Sequence, residues 1–240
     1  MIKFRHHRHN LTLLALATVC TAGTGWAQEN VSGPNSPPVI IDRKQATRLV
    51  VAQPAPEYPA VAKVNYIQGP VQLELTVNGA GKVANAHVLT GNAILAASSL
   101  KAVLRWIYHP LTTASGPSGF ITTVELKFAL NSRGLDLTPQ QAERDFLRQV
   151  KPPQVVRAPE DAGRGDVVHM RLLVNDQGQV VDMDVTLTGR AEFEAARETL
   201  QGWTFRPARW GALPIASYLE LDVPVSPPSI ARGATSSGGR

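Results

Sequence analysis

Few side chains in this sequence have the chemistry for catalysis or metal binding. Beyond a group of three near the start, the histidines are His87, His109 and His169. Asp182 and Asp184 follow His169 closely enough to suggest a metal site, since imidazole nitrogens and carboxylate oxygens are both zinc donors. A simpler account exists. The stretch "HMRLLVNDQGQVVDMD" reads as a β-hairpin whose register sets His169 opposite Asp184 and Arg171 opposite Asp182 on a polar face. Opposite charges across neighbouring strands contribute roughly 0.2–1 kcal/mol each, so cross-strand pairing explains these residue types without a metal. "GPSG" at residues 116–119 holds the serine and glycines of a nucleophile motif, but not the G-x-S-x-G spacing or the strand-to-helix turn that exposes such a serine. Neither a P-loop nor a G-x-G-x-x-G fingerprint occurs. The one cysteine, Cys20, has no partner for a disulfide. These residues argue against an enzyme and against a bound metal or cofactor.

The remaining pattern is structural, and it occurs twice. Val71, Leu73, Leu75 and Val77 alternate with Gln72, Glu74 and Thr76, the period of a half-buried strand. "NGAG" turns the chain, and Ala84, Ala86 and Val88 alternate on the return. A register facing Val71 to Val88, Leu73 to Ala86 and Leu75 to Ala84 keeps both apolar sets on one side. Ala96, Ser99, Leu100, Val103 and Trp106 then follow at helical spacing. After Tyr108-His109-Pro110 and a Gly/Ser/Pro loop, "FITTVELKF" alternates again. Offset by 97 positions, Val168, Met170, Leu172 and Val174 repeat the first strand, and "VNDQGQV" aligns with "VNGAGKV". Phe193, Ala196, Leu200 and Trp203 form the second helical stripe. Trp203, Phe205 and Pro207 repeat Trp106, Tyr108 and Pro110. Each Trp and aromatic reads as a core anchor, and each Pro as the stop that ends the helix. Ile215, Ser217, Leu219, Leu221 and Val223 make the last alternating strand. Between the blocks, Thr138 caps a helix beginning at Pro139, with Gln141 closing a capping box. Its stripe of Ala142, Phe146, Leu147 and Val150 docks between the blocks or opens the second one.

The ends read differently. "MIKFRHHRHN" is basic, "LTLLALATVC" is apolar but shorter than the roughly 20 residues that span a bilayer, and small residues lead to Ala27. This is the pattern of a secretory signal peptide over residues 1–27, cleaved after Ala27. Lys3, Arg5 and Arg8 lie in it, so three of the five excess positive charges leave with it and the remaining +2 does not indicate nucleic acid. Residues 28–55, rich in Pro at both ends, read as an extended tether. The blocks then occupy residues 56–131 and 165–225, joined by a connecting segment at 132–164 and followed by a disordered tail at 226–240.

The first block carries Tyr58-Pro59 before a short helix, Gly69 and Val71 opening the first strand, and Gly81 in the turn. Trp106, Tyr108 and Pro110 follow the helix, before an alternating last strand. In these marks residues 56–130 resemble the C-terminal domain of TonB. Residues 165–225 resemble it through Gly178, Trp203, Phe205 and Pro207 but lack Tyr-Pro. The resemblance implies an α+β fold of two tandem domains, each a small antiparallel sheet of about three strands on one or two helices. It implies a periplasmic protein that binds an extended peptide, the TonB box, of an outer-membrane TonB-dependent receptor or another envelope protein, in energy-dependent transport. The peptide adds a strand to the sheet, so affinity comes from backbone groups at a free edge.

With strand order second-first-last, the last strand is that edge. The docking residues are then Phe120, Ile121, Thr122, Thr123, Val124, Glu125, Leu126, Lys127 and Phe128. Gln53 and Tyr58 are expected peptide contacts, and Ile215, Ser217, Leu219, Leu221 and Val223 mark the equivalent edge in the second domain. The sequence also departs from the family. Leu11–Cys20 lacks the histidine that couples TonB's membrane helix to its motor, and Ala55 stands where the family has Gln. The alternative is a periplasmic structural or assembly module that uses the same fold for other contacts, including a homodimer through its edges. The resemblance implies no nucleic acid, cofactor or metal, and an inner-membrane anchor only if the signal is retained.

Overall fold

Asp42 starts a helix where the sequence suggested an extended tether. Its carboxylate accepts the Gln45 N–H at 2.7 Å, and the Gln45 side chain accepts the Asp42 N–H at 3.2 Å. The computed structural model describes residues 38–114, 116–130, 138–158, 166–185 and 190–225; the expected signal peptide and C-terminal tail lie outside these. Strand β1 (Val39–Ile40), helix α1 (Arg43–Arg48) and strand β2 (Val50–Ala52) come first. The tether expectation is therefore corrected over residues 39–52. "DRKQ" supplies a reciprocal cap, and Ile41 and Ala46 are buried, as a solvated tether would not allow.

Helix α2 (Ala60–Val64) follows Tyr58-Pro59, and then β3 (Gly69–Val77) and β4 (Val83–Thr90) form the expected hairpin. Helix α3 (Ala93–Val103) begins at Asn92, whose side chain accepts the Ile94 N–H. Short strands β5 (Ile107–Tyr108), β6 (Leu111–Thr113) and β7 (Gly116–Ser118) lead to β8 (Phe120–Phe128). The sheet order is β1-β8-β3-β4, with β8 antiparallel to β3 and β1 parallel to β8. Val71, Leu73, Leu75 and Val77 share one core with Ala96, Leu100, Val103, Trp106 and Tyr108. Each such aliphatic side chain contributes about 1.5–3 kcal/mol by leaving water.

Two details differ from the sequence reading. The hairpin pairs Leu73 with Val88 and Leu75 with Ala86, two residues from the expected register, after an irregularity at Val77–Val83. A slip of two preserves which side chains face the core, so hydrophobic pattern cannot detect it. The second difference is that α3 ends at Val103, well before Pro110, so Pro110 does not stop it. Chain reversal there instead serves β5, whose Tyr108 pairs with Val50 and whose N–H donates to the Gly81 carbonyl at 2.8 Å.

The second half runs in a partly similar order of elements. Helix α4 (Pro139–Leu147) has the expected capping box between Thr138 and Gln141. Strands β9 (Val150–Lys151), β10 (Gln154–Arg157), β11 (Val167–Val174) and β12 (Val180–Val185) precede helix α5 (Arg190–Leu200). Strands β13 (Thr204–Arg206), β14 (Ala208–Trp210), β15 (Leu213–Ile215) and β16 (Ser217–Pro224) complete it. The sheet order is β12-β11-β16. The fold is α+β throughout. Asn78 and Asn175 organise the two turns alike: each side chain accepts N–H groups two and four residues on. The β11–β12 register is again shifted by two, pairing Arg171 with Asp184 and Leu173 with Asp182. Val168, Met170, Leu172 and Val174 pack with Ala196, Leu200 and Val223 in a core of their own. Leu173, Ala208, Ile215 and Phe146 instead join the first core, so α4 and the outer face of the second sheet dock on the first module.

Candidate functional site

Strand β8 stands outside β3, as the sequence reading expects of the last strand. Phe120, Thr122, Val124 and Phe128 point into the core, and their register with β3 is unbroken from Phe120–Val77 to Phe128–Gly69. The Ile121 carbonyl faces the other way and accepts the Ile41 N–H at 2.9 Å. Backbone groups in an antiparallel pair alternate direction, so Thr123, Glu125 and Lys127 also present N–H and C=O away from β3. Val124 has its amide on the β3 side, which makes Thr123 the residue that reports on the outer edge.

Part of that edge is occupied by the chain itself. Val39 donates to the Gly119 carbonyl at 3.4 Å, and β1 runs parallel to β8 with Val39 opposite Phe120 and Ile40 opposite Ile121. The edge is thus not free at Phe120 and Ile121, contrary to the expectation from sequence. Further along, the Arg43 guanidinium reaches the Glu125 carbonyl at 3.5 Å. From Thr122 to Phe128 no other strand among the described residues pairs with the outer side of β8. A groove of about 380 Å³ separates α1 from this stretch, lined by Arg43, Thr47, Gln53, Trp106, Tyr108 and Val124 among others.

Gln53 therefore lies beside the edge strand. Tyr58 does not line this groove; its hydroxyl donates to the Ile67 carbonyl at 2.8 Å and its ring meets Phe128 edge-on at 5.2 Å. Trp106 donates its indole N–H to the Pro54 carbonyl at 3.0 Å, fixing the groove's floor. Tyr108 is buried and packs edge-on against Phe120 at 5.5 Å. Burial raises the Tyr108 pKa, with the Gln53 side chain opposing in part. In the second module, Trp203 stacks on Phe205 at 6.3 Å. Ile215 is set apart from Ser217, Leu219, Leu221 and Val223: it belongs to β15, pairs with Ala208 and is buried in the first core. Leu219, Leu221 and Val223 line the second core from β16, while the Tyr218 hydroxyl donates to the Gly91 carbonyl at 3.2 Å.

The residues first weighed as a metal site are drawn apart. His169 bonds Asp222 at 2.9 Å, Arg171 bonds Asp184 at 3.3 Å, and Asp182 reaches across to the first module. There it accepts the Val88 N–H at 2.9 Å and contacts the His87 ring at 2.9 Å. The hydrogen bond to Asp182 raises the His87 pKa; burial opposes it, and the charges of Asp182, Asp184 and Glu74 add to it. Among the described residues no group of three His, Cys, Asp or Glu is arranged to hold a metal ion. None of their helices is long and apolar enough to cross a membrane. Ile41 and Arg43, which close part of the edge, were missed in the sequence; the capping box at Asp42 was the available signal.

A short helix-backed sheet that leaves the outer side of its last strand half open defines a small α+β module built around an edge strand. Residues 54–130 match the family model of the Gram-negative bacterial TonB protein C-terminal, and that stretch is similar to it. The match runs from the groove-lining segment at Pro54 to just beyond β8. No curated protein matches the chain.

Proposed function

We propose that this is an exported, TonB-like periplasmic protein that captures an extended peptide of the TonB-box type from an outer-membrane receptor. The peptide adds a strand to β8, and the outward backbone groups at Thr123, Glu125 and Lys127 hold it. The observation that carries this reading is an edge strand within a stretch similar to the TonB C-terminal domain, unpaired from Thr122 to Phe128 among the described residues. Main-chain hydrogen bonds supply affinity at such an edge, and side-chain pockets supply selectivity. Gln53 and the groove between α1 and β8 are placed to read the peptide's side chains. The second module is a divergent copy of the first that supports it, since its β11 and β15 contribute Leu173 and Ile215 to the first core.

A labelled TonB-box peptide titrated against the full chain tests the reading. The wild type should bind, and Thr123→Pro, which deletes one outward N–H while leaving the β3 ladder paired, should abolish binding. Equal binding by both would exclude the β8 edge as the docking site.

A further inference from the structure

The same edge holds a feature that the peptide-capture reading leaves unused. Residues 39–43 run along β8 as a peptide ligand would. They pair in parallel, donate Val39 and Ile41 N–H groups to outward carbonyls of Gly119 and Ile121, and reach the Glu125 carbonyl through Arg43. The fit is selective by position. Ile41 is buried in the first core, while Ile40 is 80% exposed, so one aliphatic side chain anchors the segment and its neighbour contributes little. A ladder of only two residue pairs and one buried side chain make a light attachment. The helix cap at Asp42 is what holds the segment after it leaves the strand.

We propose that residues 39–43 are an internal ligand of the β8 edge, displaced when an extended peptide binds parallel to β8 with an aliphatic residue in the place of Ile41. This rests on the peptide-capture reading and adds to it the direction of the ligand, its anchoring residue and a built-in competitor. A segment that must leave first lowers the apparent affinity by the fraction of molecules in which it is open.

The test uses full-length chains in a Cys20→Ser background and a fluorescein-labelled peptide of the sequence PPVIIDRKQA, residues 37–46 of this chain. Ile41→Gly with Asp42→Gly opens the segment. A disulfide between Ile40→Cys and Ile121→Cys, which stand opposite each other, closes it. The opened chain should bind the peptide at least about tenfold more tightly than the parent. The oxidised staple should not bind, and reductant should restore parental binding. Far-UV circular dichroism confirms that the variants fold, and the staple provides a readout independent of the opened chain. Equal affinity in all three forms, or no binding to the opened chain, would overturn the proposal. The two readings fail separately. A TonB-box peptide that binds the parent and the oxidised staple alike refutes the internal ligand and leaves edge docking standing. A PPVIIDRKQA peptide that follows the expected pattern, while the TonB-box peptide binds no form, does the reverse.

Discussion

At the scale of single residues, Gly81 and Gly178 explain why the Trp-x-aromatic-x-Pro sequence occurs beside a glycine turn in both halves. They lie at φ 78° and 81°, and a Cβ would sit 1.9 Å from the Tyr108 carbonyl oxygen or 2.4 Å from that of Phe205. The turn can pass under the aromatic residue's backbone only without a side chain. Gly81→Ala should therefore destabilise the chain by about 2–3 kcal/mol, seen as a lower urea midpoint with unchanged slope. His87 makes a second prediction. Its folded pKa is raised above the ordinary 6.5 by Asp182. The stabilisation is complete below pH 6.5 and is lost as pH rises through the folded value. Urea midpoints should fall as pH rises above about 6.5 in the parent, and His87→Gln should flatten that dependence.

At the scale of elements, β8 and α1 divide one task. Strand β8 is firm on its inner side, where its register with β3 is complete, and only partly covered on its outer side. The cover depends on α1, a helix of six residues, too short to be stable alone. Asp42→Ala removes the cap at a local cost of about 1 kcal/mol. Hydrogen exchange should quicken for amides of Ile41 and residues 43–48, while Leu73 and Leu75 amides exchange as before. If the core amides quicken equally, α1 is an inseparable part of the fold rather than a detachable cover.

At the scale of the whole described fold, the second module leans on the first. Leu173 lies on the face of β11 opposite the second core, is 1% exposed, and shares the first core with Phe146 and Ile215. The Asn92 amide donates to Glu143 of α4 at 2.6 Å, fixing that helix at the same junction. Leu173→Ala should cost about 2–4 kcal/mol through lost burial and the cavity left behind. Calorimetry should show one transition for the parent and, for this variant, the second module melting ahead of the first. A single transition in the variant would mean that the modules stay coupled without Leu173.

The alternating strands, the helical stripes, the caps at Thr138 and the two glycine turns were legible from residue order, because each is set by interactions within a few positions of the chain. Side-chain facing was legible as well, since a strand's period of two fixes which residues enter the core whatever the partner. Register was not: slips of two keep that facing intact, and the turn and bulge that choose between them act through backbone geometry. Nor was the destination of the polar residues. Asp182, read as Arg171's partner, found His87 some ninety positions away, because only packing of the two sheets brings those strands together. Strand β8 itself was evident from its alternating pattern. What lies along it was not, since the short apolar run at Val39–Ile41 has no periodicity of its own and becomes a strand only when β8 offers its carbonyls. Sequence alone determined the long strands and helices and their inward faces; tertiary structure decided which surfaces meet, because those contacts join residues that no local rule relates.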